Sequence, residues 1–156
     1  MTYRIRGLAP QQFEGFFALQ DEPLKQLNIH TVIADDSKPG FPCRISLQDA
    51  NPGERLLLIN HEHLPVDSPY RSSHAIYVSE GSKFAADVMN EVPSPLRERI
   101  LSVRAFDASD MMVDADIVDG EMAHELIEKM FENKAVQYLH IHFAKRGCFA
   151  AKVERI

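Results

Sequence analysis

Two short segments of the chain each place two histidines two residues apart. They are Asn60-His61-Glu62-His63 and His140-Ile141-His142. Side chains alternate across a β-strand with a period of two, so each pair projects from one face if these segments are strands. Imidazoles bind zinc and related ions, and they also transfer protons near neutral pH. The two pairs are therefore the strongest candidates for chemistry in this sequence.

The first hypothesis is a metal site. Zinc accepts imidazole nitrogen, thiolate and carboxylate, and two histidines at positions i and i+2 of a strand can share one ion. The spacing matches no zinc-finger pattern, and the chain has no His-Glu-x-x-His helix motif. On this hypothesis a divalent metal such as zinc is held by four predicted ligands: His63, His74, His140 and His142.

The second hypothesis is a pocket for a small anionic molecule. Arg44, Arg71 and Arg146 each lie close to a histidine, cysteine or tyrosine in segments predicted as turns or strand ends. A guanidinium group offers a planar pair of donors to a carboxylate or phosphate. Tyr70, next to Arg71, adds a hydroxyl group. These four residues are the predicted ligand-binding set.

The third hypothesis is thiol chemistry, and it depends on the last predicted hairpin. Matching the apolar faces of its strands pairs Phe143 with Phe149 and leaves the three-residue loop 145–147, which ends in glycine as such loops require. This register places Cys148 on the same face as His142. Because a catalytic thiol needs a nearby base or cation, His142 and Cys148 are the candidate catalytic residues.

Hydrophobic periodicity predicts the elements that position these residues. We expect one α+β domain spanning residues 1–156, with a largely antiparallel sheet of six to eight strands and helices packed on it. Strands are expected at 29–34, 43–47, 56–59, 74–78, 101–106, 111–118, 138–143 and 148–153. Helices are expected from Pro10, from Asp21, near 82–90, at 94–100 and after Asp119.

Composition excludes several classes of protein. The chain has 156 residues and a net charge of −6, and its basic residues are not grouped into a patch or tail. Nucleic acid and anionic membranes are therefore not expected partners. No segment approaches the roughly 20 apolar residues that span a bilayer, and no signal sequence is evident, so we expect a soluble, cytoplasmic protein. Two cysteines are too few for a disulfide framework.

Four separated blocks resemble a known family of uncharacterised bacterial proteins of about this length, which carries only a domain-of-unknown-function label. The blocks are Tyr3 to Leu8, Gly40 to Arg44, Asp67 to Ile76 and His140 to Cys148. The resemblance covers the whole chain and implies a complete bacterial protein. It implies no activity, cofactor or substrate.

Two functional alternatives follow. One is a small-molecule- or metal-binding protein or enzyme with a pocket of histidine, cysteine and arginine side chains. The other is a non-catalytic, homodimeric module in which the same polar residues form a structural network. The sequence does not decide whether the protein is an enzyme.

Overall fold

The computed structural model describes residues 2–156, in which nine strands form two antiparallel sheets. The larger sheet, in the order β5-β1-β9-β8-β6-β7, contains β1 (Tyr3–Arg6), β5 (Asp87–Met89), β6 (Ile100–Phe106), β7 (Met112–Asp119), β8 (Tyr138–Phe143) and β9 (Phe149–Arg155). The smaller sheet, in the order β2-β3-β4, contains β2 (His30–Ile33), β3 (Arg55–Leu64) and β4 (Ser72–Ser79). The helices are α1 (Glu14–Phe17), α2 (Asp21–Gln26), α3 (Ser94–Arg97) and α4 (Ala123–Glu132). The predicted α+β class is confirmed.

One face of the larger sheet packs against α4. This helix buries Ile127 and Phe131 on one side, as its apolar spacing predicts. Strand β6 contributes alternate residues to the same core, and Leu101 and Val103 are fully buried. Asp119 accepts a hydrogen bond from the backbone N–H of Glu121 and caps the 3-10 turn that leads into α4. The opposite face of β6 and β8 carries polar side chains.

The smaller sheet forms a second core with the N-terminal helices. Phe13 and Leu24 are buried there against Leu57, Ile76 and neighbouring apolar residues. Strand β3 is the central strand and pairs with both β2 and β4, with Ile33 of β2 opposite Arg55. Within residues 2–156, no helix is both long and apolar enough to cross a membrane.

Two predicted elements are wrong. Residues 44–47 form a turn, in which Leu47 has a φ of +54° and donates its N–H to the carbonyl of Cys43, while Cys43 itself makes only an isolated bridge to Tyr77. Their apolar side chains alternate because the loop is folded into the core rather than extended in a sheet. The segment 82–90 contains β5 instead of a helix, and β5 pairs with β1 along the edge of the larger sheet.

The β8–β9 hairpin differs from the predicted register by one bulge. Ile141 lies opposite Ala151 as expected, but His142 then lies opposite Phe149. The N–H of Phe143 donates to the carbonyl of Cys148, so the loop 144–147 has four residues, not three. The bulge therefore exchanges the faces of two residues: Phe149 joins the histidine side, and Cys148 lies on the side of Phe143.

Candidate metal centre between the two sheets

Four histidines meet where the smaller sheet lies against the polar face of the larger one. His63 comes from β3 and His74 from β4, whereas His140 and His142 come from β8. The solvent-exposed fractions are 9% for His63, 2% for His140 and 1% for His142, and His74 is half-buried. Phe149 of β9 contacts three of the four rings. The cluster is thus a buried layer that only the folded arrangement of both sheets creates.

A β-bulge in β3 separates the first histidine pair. Regular pairing with β4 ends where His61 lies opposite His74, and it resumes one register later at Leu64. The ring of His61 packs on Phe13, with centroids 5.7 Å apart. The ring of His63 instead stacks between His74 and Phe149, at 4.9 Å from each and within 8° of parallel. The expected shared environment of His61 and His63 therefore does not form.

Three imidazoles bring nitrogen atoms close enough to hold one ion. Ligand atoms of His63, His74 and His142 all lie within 4.8 Å of one another. Nε2 of His63 is 2.9 Å from Nδ1 of His74. Two ligands on a tetrahedral zinc ion, with Zn–N bonds of about 2.0–2.1 Å, stand roughly 3.3 Å apart. Opening this contact by a few tenths of an ångström therefore makes room for coordination by both nitrogens.

The tautomer of His142 follows from its hydrogen bond. Its Nδ1 lies 3.0 Å from the carbonyl oxygen of Gly147. Because a carbonyl only accepts, Nδ1 must carry the proton, and Nε2 keeps its lone pair. A backbone acceptor on the other ring nitrogen is also the usual way in which proteins orient a metal-binding histidine. Gly147 adopts a φ of +79° in the four-residue loop, so the left-handed turn supplies this acceptor.

The electrostatics of the cluster favour neutral imidazoles. Burial is the largest cause, and it lowers the pKa of His63 to about 4 and that of His142 to about 3. Burial also lowers the pKa of His74, and the guanidinium of Arg104 acts in the same direction on all three. Neutral rings have the free lone pairs that metal coordination requires.

His140, the fourth predicted ligand, lies beside this group and not within it. Its ring contacts Phe149 at 4.9 Å and His63 at 5.6 Å, and its Nδ1 is buried without a hydrogen-bond partner among residues 2–156. In the sheet it lies between Arg104 of β6 and Lys152 of β9. Burial, followed by these and other neighbouring charges, strongly lowers the pKa of His140.

Arg44 and Cys148 form a separate structural contact. The guanidinium of Arg44 is 2% exposed and donates to the carbonyls of Phe149 and Pro42 and to Sγ of Cys148, the last at 3.0 Å. It also lies over the ring of Phe143, 4.8 Å from the centroid. Cys148 is therefore engaged on the core side of the hairpin, and the expected pairing with His142 does not form.

The other predicted ligand-binding residues have separate environments. Arg71 makes a bidentate ion pair with Glu62 at the surface, with both contacts at 3.1 Å. The ring of Tyr70 packs edge-on against Phe106, and Arg146 is exposed in the β8–β9 loop. These side chains do not converge with Arg44 into one pocket.

Sequence reasoning missed Arg104 and Phe149 as members of the site. Arg104 lies on the predicted strand 101–106. Alternation places its side chain on the other face of the strand from the buried Val103, so the face of Arg104 could be predicted. Its cross-strand neighbour could not be predicted, because the pairing of Arg104 with His140 depends on how β6 and β8 pair in the sheet. Ser72 lies beside the cluster, with its hydroxyl 3.2 Å from Nε2 of His63.

The chain is an α+β protein with a histidine layer between two antiparallel sheets. Residues 40–155 match the family described as "protein of unknown function" (DUF1203), and the chain belongs to that family. No curated protein and no solved structure matches it significantly. The matched range includes all of β3, β4 and β8, and therefore every histidine of the cluster. Membership confirms the resemblance to a family of unknown function.

Proposed function

We propose that the protein binds one divalent transition metal ion through His63, His74 and His142. The observation that carries the proposal is the convergence of three imidazole nitrogens within 4.8 Å, contributed by both sheets. The donor set favours zinc and its neighbours, because imidazole suits these ions whereas magnesium and calcium prefer oxygen ligands.

Three protein ligands leave a tetrahedral ion with one open position. Structural zinc sites are normally closed by four protein ligands, whereas catalytic sites keep a position for water or substrate. The half-buried His74 marks the side of the cluster that is nearer to solvent. A bound ion here would therefore be able to exchange its fourth ligand, as an enzyme or a small-molecule-binding protein requires.

A structural histidine cluster is the second candidate. It is favoured by the 2.9 Å hydrogen bond between His63 and His74, and by the Ser72 hydroxyl 3.2 Å from the same His63 nitrogen. These contacts satisfy part of the cluster without an ion. In this alternative the histidines hold the two sheets together, and metal has no specific effect on the protein.

A cobalt titration separates the two candidates. Protein freed of metal with a chelator is titrated with Co²⁺ or Zn²⁺, and His74→Gln is compared with His30→Gln, a histidine exposed on β2 of the same sheet. We expect one equivalent to bind to the wild type and to His30→Gln. In His74→Gln we expect a loss larger than the roughly 10- to 100-fold that removal of an outer hydrogen bond costs.

Visible absorption of bound Co²⁺ reports its coordination geometry, and circular dichroism checks that each variant folds. Equal binding by His74→Gln and the wild type would refute the metal site. An absence of binding by the wild type would favour the second candidate, the structural histidine cluster.

We also propose the remaining properties expected from the sequence. Residues 1–156 form a single domain, a proposal supported by Arg44, which donates across to β9, and by the shared histidine layer. The net charge of −6 supports a partner that is a small molecule and not a nucleic acid, and we propose a cytoplasmic location. Sedimentation tests whether the chain is a monomer or the homodimer of the non-catalytic alternative.

A further inference from the structure

We propose that the open position of the metal is an oxyanion subsite, in which a carboxylate or phosphate group bridges the ion and the guanidinium of Arg104. This inference rests on the proposed metal site and adds the chemical class of its ligand.

The register of the larger sheet places Arg104 beside the cluster. On β6, Ser102 lies directly opposite His142, and Arg104 lies directly opposite His140. Arg104 is therefore the diagonal neighbour of His142, a separation that long side chains span. Ser102 and Arg104 lie on the polar face of β6, since Leu101 and Val103, which alternate with them, are buried in the core. The lowering of the pKa values of His63, His74 and His142 by Arg104 is consistent with this proximity.

The charge of Arg104 is not compensated locally. The side chain is half-buried, and its hydrogen bond is to a neutral group, the Ser102 hydroxyl at 3.3 Å. Within residues 2–156 no carboxylate forms an ion pair with it. By contrast, Arg71 and Arg99 have carboxylate partners at 3.1 and 3.2 Å. A half-buried cation has lost part of its hydration, and an anionic ligand compensates for that loss with charge-assisted hydrogen bonds.

A metal ion increases this imbalance. Three neutral imidazoles leave its two positive charges intact, and Arg104 adds a third at the same face. The nearby Lys152 is already paired with Glu154 at 3.1 Å, so its charge is offset. An oxyanion can both complete the coordination of the ion and balance the charge of Arg104. One of its oxygens occupies the open coordination position while another accepts a hydrogen bond from the guanidinium. A neutral ligand would complete the coordination of the ion but would not balance the charge.

His140 offers a further polar nitrogen at this place. Its Nδ1 is buried and unpartnered within residues 2–156, and the residue lies directly across from Arg104. Buried polar atoms in folded proteins nearly always have a partner, and in the tautomer that carries its proton on Nδ1, His140 donates to an oxyanion held at this edge of the cluster.

The test uses the Co²⁺-loaded protein, whose absorption changes when the fourth ligand is exchanged. The probes are acetate, for a carboxylate source, and inorganic phosphate, for a phosphate source, each at constant ionic strength. We expect at least one of them to bind about 10-fold or more weakly to Arg104→Gln than to the wild type. Arg104→Lys keeps the charge but loses the planar pair of donors, so we expect an intermediate affinity. Arg146→Gln, which removes an exposed arginine, is the control and should bind as the wild type does.

Azide distinguishes the two parts of the subsite. It enters the open coordination position without needing two donors from a guanidinium, so its affinity should change less than that of the oxyanion in Arg104→Gln. The two binding equilibria are linked, so the oxyanion should raise the affinity for the metal by the factor by which the metal raises the affinity for the oxyanion. Co²⁺ stoichiometry and circular dichroism confirm that each variant is folded and loaded.

The outcomes separate the two proposals. If Co²⁺ binds but neither acetate nor phosphate perturbs it, or if Arg104→Gln binds them as tightly as the wild type, the oxyanion subsite is wrong and the metal site stands. If the wild type binds no Co²⁺, both proposals are wrong.

Discussion

Acidification of the metal-free protein should reduce its stability through the histidine layer. The pKa values of His63 and His142 are about 4 and about 3 in the folded state, against about 6.5 in an unfolded chain. Between these values the unfolded chain binds more protons than the folded one, so stability falls as the pH falls. The contribution of these two histidines to stability is fully present above the unfolded pKa of about 6.5.

The magnitude follows from the same values. From about pH 7.5 to about pH 5, each of the two histidines is expected to remove about 2 kcal/mol from the free energy of unfolding, and the pair about 4 kcal/mol. This is a large fraction of the roughly 5–15 kcal/mol that stabilises a typical domain. A markedly lower free energy of unfolding at moderately acidic pH is the expected consequence.

Urea unfolding followed by circular dichroism, at several pH values in the presence of a chelator, measures the effect. His142→Gln removes one titrating group and should reduce the dependence by about 2 kcal/mol over the same range. His30→Gln, on the exposed β2, should retain the dependence of the wild type. A free energy that is equal at about pH 7.5 and about pH 5, or an undiminished pH dependence in His142→Gln, would refute the reasoning.

Two further predictions concern the residues that shape the site. Arg44→Met should lower the free energy of unfolding by about 2–4 kcal/mol, because three acceptors lose a buried donor, and a change below about 0.5 kcal/mol in urea unfolding would contradict the assigned role. Gly147→Ala should destabilise the protein by about 1 kcal/mol, because alanine is strained at a φ of +79°. Gly15→Ala in α1, where an added Cβ meets no other atom, should instead stabilise it by about 0.4–1 kcal/mol. Thermal unfolding of both variants measures the contrast, and equal effects would count against it.

Local patterns predicted the elements whose causes are local. The β6–β7 hairpin has alternating strands on both sides of the turn 107–110, and α4 has an apolar stripe after a capping aspartate, so each is readable from a short window. The same alternation placed His140 and His142 on the polar face of β8, where both contact Phe149.

The grouping of the site could not be read in this way. Periodicity assigns a residue to a face of its own strand, but it does not say which face of another sheet will meet it. Two bulges also interrupt the period of two, one after His61 and one beside Phe149. The second bulge moved Cys148 away from the histidines, because a shift of one residue exchanges the faces. Arg44 was placed on a strand, whereas it lies in a turn that is folded inward.

The contact between His74 and His142 joins positions 68 residues apart in the chain. An ion bound to both would close that loop, as a disulfide does, and would withdraw the corresponding conformational freedom from the unfolded ensemble. The chain-entropy relation for a loop of this length gives about 4 kcal/mol. Unlike a disulfide, such a cross-link forms without an oxidant and opens when metal is scarce, so the supply of one ion would govern how firmly the two sheets are held together.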